Sequence, residues 1–182
     1  GEKATKLESI TERIHEIRMR LGVLRRYAEI TCLTAILEDN SDRQTLEEAR
    51  DATIAKLEEE FALVAQCNVG AEFMDDENVV RLKKIANREW TRHFDDRLGL
   101  SHMESQHLKN HPPQPTPAKE KLLTDKAEHL FPRTETARKR PFGDNPHGFS
   151  MAVPENIINR GELYNLSINR GTLTDEERFI IN

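Results

Sequence analysis

His102, His107 and His111 stand close together, with Glu104 among them. Imidazole and carboxylate together make a ligand set for a divalent metal, and two histidines spaced i, i+4 share one face of a helix. His107 and His111 have that spacing, which makes all three histidines candidate ligands. His111, however, abuts Pro112, where a helix must end. The plainer reading is a polar helix terminus at which cationic histidine suits the helix dipole. The sequence favours that reading, and no metal ligand is assigned with it.

The other reactive residue types lead to equally plain readings. A disulfide between Cys32 and Cys67 would need their Cα atoms within about 7 Å. A turn near residue 40 sets Cys32 opposite residues around 48, so both cysteines read as small apolar side chains. "RTETARKRP", residues 133–141, is basic but has no aromatic interleaving, and reads as a solvated or internally paired loop rather than a nucleic-acid interface. Glu58-Glu59-Glu60 and Asp95-Asp96 are consecutive, so on a helix their carboxylates point about 100° apart and do not share a site. No glycine-rich phosphate loop, nucleophile elbow or Cys-x-x-Cys pair is present. No catalytic or cofactor-binding residue is assigned.

These residues must be carried by long solvated elements. The 182 residues are 36% apolar and 32% charged, with a formal net charge of −5. That balance suits extended helices more than a thick core. It supplies no general attraction to nucleic acid or anionic lipid. No run of about 18 apolar residues exists, so no membrane insertion is expected. A polar start, "GEKATKLESITER", and two cysteines point to a reducing cytoplasm.

Leu7, Ile10, Ile14, Ile17, Leu21, Leu24 and Ala28 follow a 3-4 spacing over about three heptads. This seam predicts a coiled-coil-like first helix. It needs a partner, either the second helix or another chain, and the expected assembly is a homodimer through this helix. Ser41 with Gln44 reads as a capping box opening a second helix over about 42–67. Two long helices joined by a short polar turn form an antiparallel hairpin. Gly70 marks a helix stop and Asp75 an N-cap. A third helix follows, with Val79, Leu82, Ile85, Ala86, Trp90 and Phe94 on one side and Gly99 as its end. Ser101 and Glu104 form another capping box, opening a short helix toward His111.

All eight prolines lie at or after position 112, so residues 110–152 read as a long irregular arm. Its scattered apolar residues, Leu122, Leu123, Leu130 and Phe131 among them, favour an arm packed on the helices. At the C-terminal end, Thr174 and Glu177 have capping-box spacing, and Phe179-Ile180-Ile181 begin an apolar face. A helix that starts this well suggests that the chain continues past Asn182. The expected fold is all-α: the hairpin and third helix over residues 1–109, the arm over 110–152, and a short C-terminal helix within 153–182.

The tail "MAVPENIINRGELYNLSINRGTLTDEERFIIN" resembles the HD-GYP branch of the HD-type metal phosphohydrolases. The residues that carry the likeness are Val153-Pro154, Ile168, Gly171, Leu173-Thr174, Glu176-Glu177 and Ile180-Ile181. The resemblance implies an all-helical bacterial enzyme domain that hydrolyses cyclic di-GMP with iron or manganese, often behind a sensory domain. The tail departs from the family in two ways. The family's His-Asp pair falls on Pro146-His147 and its lysine on Ser150, and "NRGELYNLS" reads as an insertion. The implied role is a helical signalling and dimerisation segment, not catalytic on its own, with any iron or manganese held elsewhere in a longer protein. The alternative is one part of a working cyclic di-GMP phosphodiesterase whose ligands lie beyond residue 182.

Overall fold

The computed structural model describes residues 12–38, 42–70, 73–135 and 151–181. Helix α1 (Ile14–Glu38) and helix α2 (Arg43–Val69) form the expected hairpin. Cys32 Sγ lies 3.5 Å from the Leu46 carbonyl, Arg25 meets Glu58, and Arg18 lies over the Phe61 ring. Partners that move toward the C-terminus of one helix as they move toward the N-terminus of the other define antiparallel packing. The residue that caps α2 is Asp42, whose side chain accepts the Gln44 N–H. Ser41, expected in that role, lies outside the described residues.

The core is asymmetric along this hairpin. It gathers Ile17 and Leu21 of α1 with Leu57, Leu63, Val64 and Cys67 of α2, and Leu82, Ile85 and Ala86 of helix α3 (Asp76–Ala86). In the far half of α1 Cys32 is buried against α2, but Ile30, Leu33 and Leu37 are exposed. Asp75 holds the N-cap position of α3, as expected, though its side chain makes no capping bond.

The third helix is shorter than the sequence pattern suggests, and the reason is local. Asn87 donates its side-chain amide to the Lys83 carbonyl and closes the last turn of α3. Arg88 then turns back to Glu60 of α2 in a two-pronged ion pair. Beyond this point Trp90 and Thr91, both good strand formers, belong to strand β1 (Glu89–Arg92), not to a helix. Strand β2 (Ala118–Lys121) pairs with β1 antiparallel, Trp90 opposite Glu120 and Arg92 opposite Ala118. Arg92 and Glu120 also form an ion pair at 2.7 Å. Phe94, placed on the apolar face of a helix by its spacing, is instead 85% exposed in the loop after β1.

Helix α4 (His102–His107) opens with the expected capping box. The Ser101 Oγ accepts the Glu104 N–H, and the Glu104 carboxylate accepts the Ser101 N–H. A 3-10 turn (Leu108–Asn110) follows. In the proline-rich region, β2 leads into Leu122 and Leu123, both fully buried in the common core. After a second 3-10 turn (Ala127–His129), strand β3 (Leu130–Pro132) pairs antiparallel with strand β4 (Asn156–Asn159). Helix α5 (Glu162–Leu166) and helix α6 (Asp175–Ile181) complete the described chain. The fold is therefore predominantly helical but not all-α, since two small antiparallel sheets interrupt it. Among the described residues no helix is long and apolar enough to cross a membrane.

Candidate functional site

Among the described residues, the carboxylate of Glu162 in the first turn of α5 is buried and heavily bonded. Gly161 packs closely here: a Cβ on it would stand 2.5 Å from Asp125 Oδ1, so a larger residue would have to displace the Asp125 side chain. The Glu162 N–H then donates to the Thr124 carbonyl at 3.0 Å.

Glu162 is 5% exposed. Its carboxylate accepts bonds from Arg20 Nη1 at 2.9 and 2.8 Å, from the Thr124 N–H at 2.9 Å and from Arg13 Nη2 at 3.2 Å. Arg20 also donates to the Leu122 carbonyl at 2.9 Å, and its guanidinium lies 5.8 Å from the centre of the Trp90 ring. Arg13 donates to the Arg160 carbonyl at 2.7 Å. One carboxylate thus ties α1, the Leu122–Thr124 turn and α5 together. Burial pushes this carboxyl up, but the Arg20 bond and charge, the Thr124 N–H and Arg13 outweigh it and hold it below the usual carboxylate range. A buried charge needs such compensation to be tolerated at all.

Two residues further along α5, the Tyr164 hydroxyl donates to Glu176 Oε2 at 3.0 Å. Glu176 is buried in the first turn of α6. Burial, the bond to Glu176 and the Asp175 charge push the Tyr164 phenol up to about 12. The start of α6 is fixed by the expected capping box, with Thr174 N–H to Glu177 at 2.9 Å and Glu177 N–H to Thr174 Oγ1 at 3.2 Å. Arg20 of α1 is thus bonded to Glu162 of α5, and Tyr164 of the same short helix to Glu176 of α6; Glu162 and Tyr164 are joined only through the backbone of α5, since side chains two residues apart on a helix do not face each other. These groups hold charge and position. None is a nucleophile activated by a neighbouring base.

The histidines do not converge. The His107 ring stacks on Phe131 at 4.0 Å, nearly parallel, and its Nε2 is 2.7 Å from the Glu128 carbonyl. The His111 ring lies 6.0 Å from it and tilted, and His102 is exposed. Among the described residues no three or more His, Cys, Asp or Glu side chains are arranged to hold a metal ion. The iron or manganese that the resemblance implies finds no fitting donor set among them. Cys32 and Cys67 are both free.

Of the heptad seam, Ile17 and Leu21 are buried in the chain's own core, with Ile14 and Leu24 packed against it. Ala28 is half-buried, and Leu7 and Ile10 lie outside the described residues. Sequence reasoning missed Glu162. The available signal was at the start of α1, where Arg13 and Arg20 stand one heptad apart beside the seam, two cations next to its buried positions Ile17 and Leu21.

No family model matches the chain, and no curated protein or solved structure matches it either.

Proposed function

We propose that this chain is a helical signalling segment of a bacterial HD-GYP-like metal-dependent phosphohydrolase in cyclic di-GMP signalling, and that it is not catalytic on its own. The observation that carries this reading is the pair of buried bonds made from one short helix, Glu162 to Arg20 of α1 and Tyr164 to Glu176 of α6. It links the long first helix to α6, the helix whose capping residues carry the resemblance to that family. A shift of α1 along its axis must drag Glu162, because the carboxylate is buried and has no solvent to replace its partners. α5 then moves the Tyr164 hydroxyl against Glu176. Such a linkage gives a helical segment a means of passing displacement to an output domain.

Self-association through α1 would have to use its outward side. Ile17 and Leu21 are occupied within the chain, whereas Met19, Ile30, Leu33 and Leu37 are exposed. A homodimer built on that stripe would leave both bonds intact.

The deciding experiment compares cyclic di-GMP hydrolysis, with manganese or iron supplied, by this chain alone and by the longer protein that contains it. The reading expects no turnover from the chain alone. It also expects Tyr164→Phe to change the rate of the longer protein several-fold. An unchanged rate would remove the transmission role. Absence of turnover in the longer protein would remove the link to phosphohydrolysis. Turnover by the longer protein that needs residues of this chain for metal binding would favour the phosphodiesterase alternative.

A further inference from the structure

A second feature lies beside Tyr164 of α5 and does not rest on the signalling reading. A cavity of about 460 Å³ opens between α3, α5 and the loop leading to α6. That volume falls in the range of small-molecule sites, about 300–1,000 Å³. Three cations line it: Lys83 from the last turn of α3, Arg170 from the loop and Arg178 from α6. Among the described residues none of the three forms an ion pair. Arg178 donates to the Arg170 carbonyl, and the Arg170 guanidinium lies 5.4 Å from the centre of the Phe73 ring. Both arginines are thereby oriented with most of their donors unused.

The same cavity is lined by Ser167, whose Oγ is buried and has no hydrogen-bond partner among the described residues. A buried hydroxyl without a partner is uncommon and calls for a ligand or water. Among the described residues neither carboxylate on the lining forms an ion pair with these cations. Asp125 accepts the Tyr164 N–H at 3.1 Å, and Asp175 is exposed at the start of α6. Leu163, Ile168 and Leu173 supply an apolar wall.

We infer that this cavity binds a small phosphate monoester, with its phosphate held by Lys83, Arg170, Arg178 and the Ser167 hydroxyl and its apolar body against Leu163, Ile168 and Leu173. A dianion with three terminal oxygens matches three cations and one hydroxyl donor better than a carboxylate does. The apolar wall favours a ligand that carries a ring or chain over free phosphate.

Isothermal titration with phenyl phosphate, inorganic phosphate, benzoate and phenol tests this directly. Phenyl phosphate is expected to bind at least about tenfold more tightly than benzoate, and inorganic phosphate to bind more weakly than phenyl phosphate. Lys83→Ala with Arg170→Ala should weaken phenyl phosphate at least about tenfold, and Ser167→Ala several-fold. Lys83 and Arg170 are exposed, so circular dichroism should show the double variant folded. Lys83→Gln alone provides a milder second variant, and a measurable loss is expected there too. Phenol binding as tightly as phenyl phosphate, no binding of phenyl phosphate, or equal binding by the double variant and the parent chain would each overturn the inference.

Discussion

Arg20 and Glu162 are 142 positions apart in sequence and 2.8 Å apart in space. The side chains are 17% and 4% exposed, so the pair is formed away from bulk water. Such a pair contributes little compared with an apolar substitute of the same shape, but losing one member strands the other. Glu162 carries the larger liability, because two guanidinium groups and the Thr124 N–H all depend on it.

Glu162→Gln is therefore expected to destabilise the chain by about 3 kcal/mol. Arg13→Ala should cost under about 1 kcal/mol, since the Arg13 side chain is 44% exposed and solvent screens its charge. Urea unfolding followed by circular dichroism measures both. Equal losses for the two variants would contradict the assigned hierarchy.

The same carboxylate sets a pH dependence with a definite sign. Its folded value lies below its unfolded value. The stability it supplies is complete above the ordinary glutamate value, near pH 4.3, and is lost as pH falls through the lower folded value. The stability difference between the parent chain and Glu162→Gln should be constant near neutrality and shrink in acid below about pH 4. Denaturant titrations at a series of pH values would show this, and a difference that grows in acid would refute it.

Gly70 ends α2 at φ 78°, and a Cβ there would stand 2.8 Å from Thr172 Cγ2. Gly70→Ala meets both a backbone cost and a steric one, together about 1–2 kcal/mol. Thr172→Ser removes the opposing methyl group, so adding it to Gly70→Ala should restore the steric share only. Full recovery in thermal unfolding would show that the left-handed backbone costs nothing here, against expectation.

Leu21 is 6% exposed in the core. Leu21→Asp buries an unpaired carboxylate, and together with Ile14→Asp it should unfold the hairpin rather than merely separate two chains. Far-ultraviolet circular dichroism and light scattering distinguish these outcomes. Retained helicity with a halved mass would mean that the seam works between chains.

Tyr164 offers a spectroscopic check on its bond to Glu176. Around pH 10 a free tyrosine is half ionised, whereas this phenol is held near about 12 by burial and by Glu176. Tyr164→Phe should leave the phenolate absorbance gained around pH 10 unchanged. Glu176→Gln should lower the Tyr164 phenol toward that range while leaving the share due to burial, and an unchanged Tyr164 titration would detach it from Glu176.

The hairpin, the box at Ser101 and the box at Thr174 could be read from the sequence because each depends on residues a few positions apart. Heptad spacing reports a helix face, and Ser-x-x-Glu reports a helix start. Cys32 opposite residues around 48 followed from the turn position alone. What could not be read depends on distant partners. Trp90 keeps a helical spacing with Leu82 and Ile85, and only the pairing of Glu89–Arg92 with Ala118–Lys121 makes it a strand residue. Glu162 is a single acid in "NRGELYNLS", with no spacing relation to the arginines that hold it. The metal reading of His102, His107 and His111 rested on spacing as well, and Phe131, remote in sequence, claims the His107 ring instead.

The burial of Leu166 against the hairpin has a consequence for how the chain is made. Both helices of the hairpin leave the ribosome long before α5 does. During that interval Ile17, Leu21, Val64 and Cys67 lack the cover that Leu122, Leu123 and Leu166 later provide. Arg13 and Arg20 wait beside them without their carboxylate. The nascent chain passes this stage with an open apolar face, and it needs protection from aggregation until α5 has emerged and docked.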